Sequence, residues 1–306
     1  MRGSAPGWPV GATSRRMISQ GLPVRLTVLG DGDEVVICLH GLGGSALNFG
    51  LLAPLMATAE RRVILPDLLG HGGSGSPAPR GGAVEAQLRT ISDVIGREVP
   101  GEPVILVGHS MGGILAQLHA LRAPQTVRRL VLIDPPVPNV TRWRRDPRLT
   151  AKLALLRTPG VGAFVARTLA RMSPEDLVAQ QLADATPHVD RIPGVAVEAA
   201  IAETRERFAS GLAAEGQRAQ WDAILEVVAL LARPAAWRAK LASITSPTLW
   251  LQGEDDPLAN ASAAAALAAS RPDWTFCTRA GVGHLPQLED PAWTFDQINR
   301  WLELPG

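Results

Sequence analysis

Gly108-His109-Ser110-Met111-Gly112-Gly113 is the stretch on which the reading of this chain turns. It contains G-x-S-x-G, and its flanks fit. Pro103-Val104-Ile105-Leu106-Val107 before it is a short apolar run rich in β-branched residues, which predicts a buried strand. Ile114-Leu115-Ala116-Gln117-Leu118-His119-Ala120-Leu121 after it predicts a helix. A serine on a sharp strand-to-helix turn has its hydroxyl held up and exposed. Small residues two positions away on each side let the backbone fold that tightly. Ser110 is therefore the candidate nucleophile. A five-residue pattern in a chain with 30 glycines needs support from the rest of the sequence.

Outward from this turn, strand and helix patterns alternate. Val24–Leu29 and Val35–Leu39 predict two strands, with Gly30-Asp31-Gly32-Asp33 between them as a hairpin signal. Leu47–Ala57 is helix-like, Arg62–Pro66 a third strand, Val84–Glu98 an amphipathic helix and Leu130–Ile133 a further strand. Such alternation predicts an α/β fold, a mostly parallel, doubly wound sheet with helices on both faces. The rhythm stops after Asp134-Pro135-Pro136. Residues 137–243 are rich in Ala, Leu and Arg, broken by prolines and glycines, and predict helices inserted into the sheet domain. Strands return at Thr248–Leu251 and Trp274–Thr278, helices at Ala259–Ser270 and Ala292–Leu302. The expected organisation is a loose leader over 1–20, core over 21–136, inserted helices over 137–243 and core again over 244–306.

Composition sets outer limits. Hydrophobic residues make up 46% of the 306 and charged residues 19%, enough apolar mass for a real core. The net charge of +1 offers no basic excess to draw nucleic acid or a membrane surface. Cys38 and Cys277 both fall in predicted strands, as small buried hydrophobes rather than a disulfide scaffold. Met1–Arg16 lacks the apolar segment of a secretory signal, and no apolar run reaches membrane-spanning length, so the expectation is a cytoplasmic protein. The chain has no tyrosine, which removes that side chain from any mechanism.

A serine hydroxyl needs a base to take its proton, and the base needs a third group to orient it. His284 lies in the glycine-bracketed loop Gly281-Val282-Gly283-His284, before the last helix. Acids stand after an earlier strand in Gly253-Glu254-Asp255-Asp256. Asp256 is preferred as the orienting acid, Asp255 competes, and Asp134 at the end of another strand is the alternative. Acyl transfer also needs donors aimed at the developing oxyanion. His40-Gly41-Leu42-Gly43-Gly44 follows a strand, and the expected donors are the N–H groups of Leu42 and Met111. His40 is expected to fix this loop by hydrogen bonding, and Asp67 to tie down the backbone of its own loop. Gly70-His71-Gly72-Gly73-Ser74-Gly75 satisfies the dinucleotide pattern G-x-G-x-x-G, but Pro77 and Pro79 follow where a helix must open, so no cofactor is expected. The six histidines show no metal-binding spacing, and no metal is expected.

Taken together, His40–Gly44, Asp67-Leu68-Leu69-Gly70-His71-Gly72-Gly73-Ser74, Gly108–Gly113, Gly253–Asp256 and Gly283-His284 make the chain resemble an α/β-hydrolase of the serine esterase/lipase type. The pieces occur in family order, over about residues 22–136 and 244–304. Residues 137–243 match only in position, where the family carries a variable helical cap. The resemblance implies an α/β-hydrolase fold and a serine hydrolase that cleaves an ester, thioester or lactone through an acyl-enzyme. Ser110 argues against the haloalkane dehalogenase and epoxide hydrolase relatives, which use an aspartate there. A carbon–carbon bond hydrolase or a lyase/cyclase on the same residues is the alternative, and a non-catalytic small-molecule receptor a third. Trp143, Trp221 and Trp237 among the Leu and Ala of the inserted segment suggest a small, largely apolar substrate. Arg142, Arg144, Arg145 and Arg148 offer either a solvated face or a contact for an anionic group.

Overall fold

The computed structural model describes residues 11–77, 83–138, 171–211 and 213–304, together with Gly160, Val161, Phe164 and Thr168. Among the described residues, eight strands form one sheet: β1 (Thr13–Ser19), β2 (Leu22–Leu29), β3 (Glu34–Leu39), β4 (Arg61–Pro66), β5 (Val104–His109), β6 (Val127–Ile133), β7 (Thr248–Gly253) and β8 (Thr275–Arg279). Their order is β1-β2-β4-β3-β5-β6-β7-β8. β1 and β2 pair antiparallel, as do β2 and β4, and every later pairing is parallel.

The central strands are buried on both faces, as a parallel sheet between helix layers requires. Ile37, Leu39 and Leu106 face one hydrophobic cluster, which also holds Leu88 and Ile91 of α2 (Ala83–Glu98) and Ile114 and Leu115 of α3 (Met111–Arg122). The alternate residues Val36, Cys38, Ile105 and Val107 face a second cluster. That cluster is closed by Ala53 and Met56 of α1 (Ala53–Met56) and by Ile298 and Trp301 of a C-terminal helix. The sheet is therefore doubly wound.

Between β6 and β7 the described residues are helical: α4 (Pro174–Ala185), α5 (Gly194–Ala209), α6 (Ala213–Leu231) and α7 (Pro234–Ala242). Ala223, Val227, Leu231, Trp237 and Leu241 of this group join the core cluster that holds α2 and α3. After β7 come α8 (Ala261–Ala268), α9 (Pro286–Glu289) and α10 (Pro291–Leu302). Among the described residues, no helix is long and apolar enough to cross a membrane.

Three expectations need correction. Residues 13–19 are not loose: they form edge strand β1, paired with β2 across Gln20-Gly21, both at positive φ. Its exposed Thr-Ser-Arg-Arg start masks the alternation that would mark a strand. The Gly30–Asp33 loop does not close a hairpin, because β4 lies between β2 and β3. Gly30 and Gly32 pack instead against the backbone of Glu60 and Arg61, where β4 begins. The helix expected over Leu47–Ala57 breaks at Gly50 into a 3-10 turn, Ala46–Phe49, and the short α1, which restarts with Pro54 in its first turn. Cys38 is buried as expected, whereas Cys277 is half-exposed on β8.

Candidate active site

Ser110 stands between β5 and α3 with φ 53° and ψ −121°, outside the backbone regions that residues with a side chain prefer. Its N–H donates to the Ile133 carbonyl (2.9 Å), and its own carbonyl accepts from the Gly113 N–H (2.8 Å). The glycines are steric necessities. A β-carbon on Gly108 would lie 2.4 Å from the Gly112 carbonyl oxygen, and one on Gly112 would lie 2.1 Å from that of Leu39.

The hydroxyl of Ser110 meets His284, whose Nε2 lies 2.8 Å from Oγ. On the other side of the ring, Nδ1–H donates to Asp256 Oδ2 at 2.7 Å. Asp256 is held in turn: Oδ1 accepts the N–H groups of Leu258 (2.7 Å) and Ala259 (2.8 Å), and Oδ2 also accepts from Gln252 Nε2 (3.2 Å). Asp255 points elsewhere and pairs with His188 Nε2 at 2.7 Å.

Asp134 is close but does different work. It is fully buried, Oδ1 accepts the Gly253 N–H at 2.8 Å, and no donor among the described residues faces Oδ2. One oxygen of Asp134, one of Asp256 and a ring nitrogen of His284 lie within 4.8 Å of one another. Burial, then the negative charge of Asp256, pushes the Asp134 carboxyl well above the ordinary carboxylate range. A neutral Asp134 can donate its proton to Asp256. This trio does not suit a metal ion. Nδ1 and Oδ2 share a proton at 2.7 Å, closer than the roughly 3.3 Å edge of a tetrahedral site with bonds near 2.0 Å.

Sequence reasoning missed the carboxylate that shapes the His284 loop. Glu289 on α9 is buried, and its two oxygens accept the N–H groups on either side of the histidine, Gly283 (2.8 Å) and Leu285 (2.9 Å). The His284 carbonyl accepts from His109 Nε2–H at 2.7 Å, and its N–H donates to the carbonyl of Ala185 at the end of α4 (3.1 Å). Burial pushes His109 well below its ordinary value, so the ring is a neutral donor.

The loop after β3 runs beside the elbow. A β-carbon on Gly41 would lie 3.1 Å from that of Ser110. Leu42 follows, and Met111 is the first residue of α3, so its N–H has no acceptor within the helix. His40 accepts the Leu68 N–H at Nε2 (2.9 Å) and donates from Nδ1 to the Gly41 carbonyl (2.8 Å). Asp67 accepts the N–H groups of Ala46 (2.9 Å) and Gly73 (2.7 Å), lashing its own loop to this one. The Gly70–Gly75 segment forms turns around Asp67, and no helix opens at its glycines. A β-carbon on Gly72 would lie 2.2 Å from an Asp67 oxygen.

Ser110 and His284 sit at a chamber of about 830 Å³, roofed by residues of α4, α5 and α6. Val178, Leu182, Ile192, Trp221, Ile224 and Val228 give it apolar walls. Trp221 lines it, whereas Trp237 is fully buried in the core below. Trp143, Arg142, Arg144, Arg145 and Arg148 lie outside the described residues.

A family model for the alpha/beta hydrolase fold matches residues 34–291. The chain belongs to the α/β-hydrolase family. Mouse sn-1-specific diacylglycerol lipase ABHD11 is 30% identical over 92% of this chain and 85% of its own length. The pimeloyl-[acyl-carrier protein] methyl ester esterase of Aromatoleum aromaticum is 32% identical over 84% of this chain and 93% of its own. The epoxide hydrolase VrEH1 of Vigna radiata superposes with a TM-score of 0.75 over 96% of this chain and 98% of that one. At 17% identity that likeness speaks for the fold alone. Membership and these relatives support a hydrolase. Which hydrolase depends on the residues at the elbow, since one α/β-hydrolase scaffold serves several chemistries.

Proposed function

We propose that this α/β-hydrolase is a serine hydrolase that cleaves a carboxylic ester, thioester or lactone of a small, largely apolar substrate through an acyl-enzyme. The observation that carries this reading is the unbroken hydrogen-bond chain from Ser110 Oγ to His284 Nε2 and from Nδ1 to Asp256, at the floor of an apolar chamber. Ser110 Oγ attacks the carbonyl carbon as its proton passes to His284 Nε2. Asp256 stabilises the imidazolium that forms. The N–H groups of Leu42 and Met111 take the charge that develops on the carbonyl oxygen, each contributing about 10²–10³ in rate. His284 then protonates the leaving oxygen or sulfur, the acyl group stays on Ser110, and a water activated by the same ring releases it. The helices between β6 and β7 serve as the cap that selects the acyl or alcohol part.

p-Nitrophenyl esters of graded chain length test this reading. The wild type should release p-nitrophenol with a chain-length optimum, and Ser110→Ala should lose about 10⁴-fold or more in kcat while keeping its melting temperature. Turnover that survives Ser110→Ala contradicts the covalent mechanism. Tight small-molecule binding with no turnover of any acyl substrate supports a receptor instead.

A further inference from the structure

The chamber is not apolar throughout. Above Gly43 and Gly44 the helices contribute Gln181, Glu203, Thr204, Gln217 and Gln220, and the 3-10 turn Ala46–Phe49 contributes Asn48. These groups are contiguous. A side pocket of about 40 Å³ opens between Gly43, Gly44 and the five helical residues. A β-carbon on Gly43 would lie 3.0 Å from Gln181 Nε2 and 4.0 Å from Gln220 Oε1. Asn48 Oδ1 lies over Gly44 so closely that a β-carbon there would be 1.7 Å away.

The hydrogen-bond balance of this corner is incomplete. Gln220 Nε2 donates to the Gly70 carbonyl at 3.0 Å. Asn48 Oδ1 is buried with no donor among the described residues. Glu203 is held by Arg25, whose other partner is Asp67. Burial, then the charge of Asp67, pushes Glu203 above the usual carboxylate range. The charged side chains that line the chamber among the described residues are the carboxylates Asp184 and Glu203. Arg207 joins them in the side pocket, where its guanidinium donates to the carbonyls of Gly70 and Gly72. An alkyl chain pushed here would strip water from amides and give nothing back. A carboxylate or phosphate would face Glu203, while Arg25 is held by Asp67 and Glu203, and Arg207 by the two carbonyls. An uncharged hydroxyl, donor and acceptor at once, can pair with either end of the glutamine amides that line the corner.

We propose that the substrate carries an uncharged, hydroxyl-bearing group beside its apolar chain, seated among Asn48, Gln181, Gln217 and Gln220. This rests on the ester-hydrolysis reading and narrows it. The test compares kcat/KM by pH-stat titration for four esters. They are butyl hexanoate, 2,3-dihydroxypropyl hexanoate, butyl 6-hydroxyhexanoate and the hexanoyl ester of glycolate. One of the two hydroxylated esters should exceed butyl hexanoate at least tenfold, and which one it is assigns the corner to the alcohol or the acyl side. The glycolate ester should be the slowest. In Gln181→Leu and Gln217→Leu the hydroxylated-to-apolar ratio should fall toward one. Wild-type cleavage with butyl hexanoate as fast as both hydroxylated esters overturns this inference and leaves the ester hydrolase standing. So does a ratio unchanged in both variants. Cleavage of none of the four overturns the hydrolase reading, and this inference with it.

Discussion

The elbow around Ser110 and the helices between β6 and β7 build one chamber by opposite means. At the elbow, hard contacts decide each residue. Gly108 and Gly112 have no room for a β-carbon, and Ser110 accepts a backbone conformation that residues with a side chain avoid. In the helices, side chains such as Val178, Trp221 and Gln217 meet open chamber space, and another side chain could stand there without moving the backbone. On the proposed function, reactive geometry is set by sterics and the choice of substrate by packing. Changes in the first region should abolish rate, and changes in the second should redistribute it among substrates.

The largest expected effect separates the two buried aspartates. Asp256→Asn should lower kcat about 10⁴-fold, because an amide cannot hold the His284 imidazolium. Asp134→Asn should cost less than about tenfold, since a neutral amide replaces a neutral acid. A larger loss from Asp134→Asn would reverse the two roles. Next comes Glu289→Gln. Its amide turns an N–H toward one of the two backbone N–H groups that Glu289 accepts, so His284 should shift and kcat fall about 10²-fold with KM nearly constant. A change in KM alone would show that Glu289 does not act through the histidine.

Trp221→Ala should move the chain-length optimum and change kcat/KM for the best ester by about tenfold, leaving Ser110 as reactive as before toward a small acylating probe. If it lost as much as Asp256→Asn on every ester, the contrast between the two regions would fail. The smallest effect is a pH dependence. The Asp134 carboxyl keeps its proton in the folded state to a higher pH than in the unfolded chain, where it ionises near pH about 4. The wild type should therefore lose stability relative to Asp134→Asn as pH rises from there toward the raised folded value. Urea denaturation of both proteins across that range checks it, and a difference that is flat with pH contradicts a neutral Asp134.

The same contrast governs what could be read from residues alone. Ser110, His284 and the order of the glycine loops were legible because close backbone approach admits few residue types, and those types recur at short spacing. The buried central strands were legible because parallel strands covered on both faces are continuous apolar runs. β1 was not, since its Arg15 and Arg16 lie exposed on a sheet edge. Whether Asp255 or Asp256 faces His284 depends on one turn of chain. The geometry sends Asp255 to His188 instead. Glu289 leaves no signal because its partners are backbone N–H groups, which every residue but proline carries. The polar corner draws on three helices and a loop, and no short spacing can announce such a meeting.

Which atom of this protein is nucleophilic can be read directly. The protein is reacted with a fluorophosphonate, weighed intact and mapped by peptide mass spectrometry. One adduct per chain is expected, on Ser110, formed far more slowly in His284→Ala. A wild type that stays unmodified, or an adduct on any other residue, would contradict it.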